Sequence, residues 1–217
     1  MAAGTRMINH IAYLMFCIFA AYCLYKPRQK RLFLRASAGY AVFMSGWFIL
    51  FSAMLIVPSL DLLPIWWSVF PLFFFYSLVW LLSPYIVRLW GSAPPKKLSE
   101  KPATLLIRFE PRIFLTKYFE IIFQQSVFVY LLAVILAGQP LLDKLGWFVT
   151  IIALIHLGNL PFTGRRDTMF YFYLSIPMAI LFGWLIVNGY VFVAASIHIT
   201  FYLLFNGRHW FTVAYER

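Results

Sequence analysis

Apolar runs recur from one end of this 217-residue chain to the other, and they constrain its fold more than any other feature. A helix rising 1.5 Å per residue needs about 20 such residues to cross the hydrocarbon core of a bilayer. That ruler predicts spans at residues 8–25, 40–57, 65–87, 114–136, 147–161, 169–187 and 190–205, the fifth being short. With 63% of its residues hydrophobic and 12% charged, a water-soluble fold of this length would lack the polar groups to cover itself. The expected class is all-α: a polytopic transmembrane bundle of about seven spans, forming a single domain over residues 1–217. Trp66, Trp67, Trp90, Trp147 and Trp210 stand at run edges, where amphipathic rings favour the headgroup region.

The connections alternate in charge, which gives an orientation. With the N-terminus outside and the C-terminus cytoplasmic, every one of the 18 Lys and Arg residues except Arg6 and Lys144 faces the cytoplasm. The net charge of +11 follows from this bias. No basic stripe interleaved with aromatics accompanies it, so no nucleic-acid partner is expected. Residues 91–113 form the one extended polar loop; its Ala93-Pro94-Pro95 start argues against a continuous helix. From about residue 105 the mixture of Leu, Ile and Phe with Arg108, Arg112 and Lys117 suits a helix lying on the anionic leaflet, or a plain basic connector. Cys17 and Cys23 share the first run with no second pair to complete a zinc site. No small-residue cleavage site follows that run, so it reads as a retained span. The expected location is a membrane crossed many times, the plasma (inner) membrane in a bacterium.

An ionisable side chain at membrane depth costs several kcal/mol unless it faces a cavity or a partner, so each is a functional candidate. Glu120 lies about 9 Å into the fourth span from its cytoplasmic end, counted at 1.5 Å per residue. His156 and His198 fall at a similar level, although their helices approach it from the other side. Gln124 is one turn beyond Glu120 with Gln125 beside it, and Asn159 is one turn from His156. A carboxylate and an imidazole sharing a water form a hydrolytic pair, and a second histidine can donate to a developing oxyanion. Hydrogen bonding across a packed bundle is the alternative use of the same three residues.

These residues also carry a resemblance. Phe119-Glu120-Ile121-Ile122-Phe123-Gln124 resembles the Glu-Glu-x-x-x-Arg motif of the CPBP family, the CAAX-protease and bacteriocin-processing intramembrane glutamate proteases. Ile152 to His156 resembles its Phe-x-x-x-His motif, and His198 to Tyr202 its His-x-x-x-Asn motif. The resemblance covers residues 117–205. It implies Glu120 as the water-activating group, His156 as its partner and His198 as oxyanion stabiliser; the amides of Gln124, Gln125 and Asn159, by their placement, are the candidates to orient substrate or water. Phe119, Gln124, Ile152 and Tyr202 depart from the motifs; moving the alignment by one makes Gln125 the arginine equivalent and puts Ile121 in the second glutamate position. The implied activity is an intramembrane peptidase, or a catalytically weakened relative that binds polypeptides.

Transport of a small molecule or lipid, and a non-enzymatic role as an assembly partner, are the other readings. Pro64, Pro71, Pro84 and Pro177 can kink helices, but no paired halves with matching interruptions appear. The two histidines with Glu120 suit a metal by type, yet no i, i+4 ligand pair supports one, so neither metal nor cofactor is expected. Asp61 and Asp143 are assigned to outer loops, and His10 and His209 to the membrane interfaces. The expected partners are membrane lipids and a membrane-associated polypeptide substrate; nothing in the sequence sets the oligomeric state.

Overall fold

The computed structural model describes residues 2–34, 38–59, 111–158, 160 and 165–201, which are helical apart from short turns. The helices are α1 (Ala2–Leu34), α2 (Ala38–Ile56), α3 (Pro111–Tyr130), α4 (Leu141–Leu157), α5 (Arg165–Val187) and α6 (Val191–Phe201). A 3-10 turn, Val57–Ser59, extends α2, and a π-helical turn, Leu131–Ile135, extends α3. The span expected at 65–87, the loop before Pro111, and Asp61, Asn159 and His209 lie outside the described residues.

Four helices are long and apolar enough to cross a membrane, over Met7–Tyr25, Gly39–Ser59, Leu115–Ile135 and Thr168–Val187, close to the boundaries read from the sequence. α6 is shorter and apolar. α4 differs from expectation. It begins at Leu141 directly after Pro140, whose extended backbone (ψ 151°) sets the entry, and so it takes in Asp143 and Lys144, which the sequence reading left in a loop. Asp143 in the first turn complements the helix dipole, and Lys144 Nζ donates to the Ala137 carbonyl at 3.3 Å.

α1 and α2 each show one face to the protein and leave an equally apolar face outside. On α2, Ala41, Met44, Phe48, Phe51 and Leu55 are buried at alternating steps of three and four, while Val42, Phe43, Ile49 and Leu50 are exposed. On α1, Leu14, Cys17, Ala21 and Tyr25 are buried, and Met15, Phe16 and Phe19 are exposed. A helix apolar on its outer face suits a lipid surround, where backbone and hydroxyl groups must find partners within the protein. Ser45, Ser52 and Ser59 of α2 and its 3-10 turn do so by donating to carbonyls one turn back, at 2.7, 2.7 and 2.9 Å. α3 is the central helix: 67% of its apolar span is buried, against 17–39% for the other three.

Side-chain contacts fix the helix directions. Thr116, near the start of α3, donates to the carbonyl of Ala41 near the start of α2, and seven residues on along both helices Phe123 packs against Phe48, so α2 and α3 run parallel. α1 runs against both, since Tyr13 near its start donates to the Met54 carbonyl and Tyr22 near the end of its apolar stretch meets Gln124. α4 and α5 are antiparallel and so close that a Cβ at Gly183 would lie 2.9 Å from Leu145 Cδ2 and Phe148 Cδ1. The α5–α6 turn is a Schellman motif. Tyr190 N donates to Leu185 O at 2.8 Å, Gly189 N donates to Ile186 O at 3.0 Å, and Gly189 takes the left-handed φ of 86° that the motif needs.

Candidate functional site

The site is built around α3, whose burial on nearly all sides brings its polar residues against neighbouring helices. Glu120 is 2% exposed and ion-paired with Lys117, one turn earlier on α3. The Lys117 ammonium also lies 5.6 Å from the centre of the Tyr25 ring of α1, a cation–π contact that helps to hold its charge. Gln124 Nε2 donates to the Tyr22 hydroxyl at 3.0 Å and, at 3.5 Å, to Glu120 Oε1. The Tyr22 hydroxyl is itself hydrogen-bonded to Glu120. The carboxylate is thus held by three side chains from two helices.

Deeper along α3, the buried Gln125 turns toward α6. Its Nε2 donates to Nδ1 of His198 at 2.9 Å. The His198 ring forms a cluster with Phe128 of α3, nearly parallel to it at 6.4 Å between centroids, and Phe182 of α5, at 5.2 Å. His156, in the last turn of α4, donates from Nδ1 to the Ile152 carbonyl at 2.8 Å.

Of the residues singled out in the sequence, Glu120 of α3 engages Lys117 and Gln124, His198 of α6 engages Gln125, and His156 of α4 engages its own helix backbone. Gln124 and Gln125 face different partners, the first Glu120 and Tyr22, the second His198. Asn159 lies outside the described residues. Among the described residues, no three His, Cys, Asp or Glu side chains converge closely enough to hold a metal ion. His10, assigned to the opposite interface, shares a hydrogen bond of 2.8 Å with the Tyr130 hydroxyl at the far end of α3.

Sequence reasoning missed Lys117, which it counted among the cytoplasmic charges. Its i, i+3 spacing to Glu120 was the available signal. It also missed Tyr22 and Tyr25, because nothing in an apolar first span announces which ring will face a carboxylate about a hundred residues later. The π turn after Tyr130, where Leu136 N donates to Leu131 O at 2.9 Å, had no sequence signal either. Chemically α3 and α6 together offer a carboxylate, an imidazole and two carboxamides in apolar surroundings, groups able to bind and polarise a small polar group. No protein-family model, curated protein or solved structure matches the chain.

Proposed function

We propose that this is a seven-span membrane protein, N-terminus outside, whose cytoplasmic-side polar cluster is an intramembrane peptidase site of the CPBP type. The observation that carries the reading is that α3 buries Glu120 and, little more than a turn on, Gln125, which hydrogen-bonds His198 of α6 at 2.9 Å, so that a carboxylate and an imidazole stand along one buried helix in apolar surroundings. In the proposed reaction Glu120 takes a proton from a water held with His156. His198 donates to the oxyanion of the tetrahedral intermediate, and Gln124 orients substrate or water. The substrate is a membrane-associated polypeptide entering from the cytoplasmic leaflet. The seven-span count draws support from the parallel run of α2 and α3: their connection leaves one end of the bundle and returns at the other, and residues 65–87 supply an apolar run of the required length.

The test is hydrolysis of a library of quenched fluorescent peptides by protein in liposomes, with incorporation of labelled oxygen from water into the new carboxyl group. Cleavage is expected to fall at least a hundredfold in Glu120→Gln and His198→Asn variants that elute as monodisperse protein. Cleavage that persists unchanged in both, or that is absent from the unaltered protein, refutes the reading. A second reading, a non-hydrolytic relative that binds polypeptides, is favoured by one observation. Lys117, Gln124 and Tyr22 already engage the Glu120 carboxylate. Retained peptide binding without cleavage would select it.

A further inference from the structure

We propose that Gln125 is a positioning residue that fixes His198 with its proton on Nε2, the opposite tautomer to that of His156, so that the pair offers one donor and one acceptor. The functional use of this pair rests on the peptidase reading; the tautomers themselves rest on hydrogen bonds. A carboxamide nitrogen can only donate, so the 2.9 Å contact from Gln125 Nε2 requires a lone pair on His198 Nδ1. The neutral ring then carries its proton on Nε2. A carbonyl oxygen can only accept, so the 2.8 Å contact to Ile152 O requires a proton on His156 Nδ1 and leaves the lone pair on Nε2.

The sense of the Gln125 bond follows from burial. Gln125 is 3% exposed, and its Oε1 is buried with no hydrogen-bond partner among the described residues. Turning the amide round would satisfy that oxygen from a protonated Nδ1 but would strand both N–H groups of the carboxamide. Buried unpaired N–H groups are rarer than under-satisfied carbonyl oxygens. Phe128 and Phe182 pack beside the ring, and a half-turn of the imidazole would put a C–H in place of Nδ1 and lose the Gln125 bond. A donor at His198 and an acceptor at His156 suit a tetrahedral intermediate, which presents an oxyanion to the first and a hydroxyl to the second.

The experiment is solid-state NMR of ¹⁵N-histidine-labelled protein in lipid bilayers near neutral pH, with the signals assigned through His156→Asn and His198→Asn samples. The expected spectrum of the unaltered protein has a protonated Nε2 and bare Nδ1 for His198, and the reverse for His156. A protonated Nδ1 on His198 overturns the proposal, and this measurement needs no altered Gln125. In Gln125→Glu the carboxylate can only accept, so the His198 proton is expected to move to Nδ1 while His156 is unchanged; a His198 signal indifferent to this change also overturns it. The expected tautomers in a protein that cleaves no peptide would uphold the positioning role and remove the hydrolytic reading alone.

Discussion

A carboxylate buried within an apolar bundle needs a cation or a network beside it, and Glu120 has both in Lys117 and the Tyr22–Gln124 pair. Removing one partner of a buried pair strands the other charge, at a cost of about 3–5 kcal/mol. Glu120→Gln alone should therefore lower unfolding stability in detergent by roughly that amount, and Lys117→Met added to it should recover more than half of the loss. A Glu120→Gln variant as stable as the unaltered protein would show that the pair contributes nothing to the fold. Glu120, His156 and His198 stand out in the sequence as candidates because ionisable residues are conspicuous in apolar runs. Their first partners do not, since a hydrogen bond between Gln125 and His198 depends on how α6 is rotated against α3, which no spacing within either segment encodes.

At the scale of elements, helix positions came readily from hydropathy and the ends less so. The apolar part of α1 stops at Tyr25, yet the helix continues to Leu34 through a basic stretch, because backbone hydrogen bonding does not end where lipid does. α4 starts earlier than hydropathy suggests, since Pro140 sets the entry and Asp143 suits a first turn. The π turn at Leu131–Ile135 was illegible, because an i to i−5 bond reflects the phase of packing on either side of it. That turn holds one residue more than an α turn, so it makes a prediction. Deleting Val134 should let α3 close as plain α-helix with both flanks in register and leave the protein monodisperse. Deleting Phe123 should rotate Gln125 and Phe128 by about 100° and abolish recovery of folded protein, given 3.6 residues per turn. Equal recovery of the two deletions in size-exclusion chromatography would mean that the π turn does not absorb register.

For the whole molecule, side-chain contacts give the directions of the helices relative to one another. α1 opposes α2 and α3, and α4 opposes α5. In a Cys17→Ala, Cys23→Ala background, Gln139→Cys should react with a membrane-impermeant maleimide on intact cells, and Arg165→Cys only after permeabilisation. Both positions labelling from one side would show that α4 does not cross; the reversed pattern would invert the topology.

The parallel alignment of α2 and α3 also orders events in time. Their interface is extensive, and it joins segments far apart in the sequence. During synthesis α2 must wait, its Met44–Phe48–Phe51 face in contact with lipid or with α1, until the ribosome has made residues as far as Tyr130. A chain truncated before Pro111 is therefore left without the surface on which its second helix settles, and the quality-control machinery of the membrane would meet that half-built protein at every round of translation.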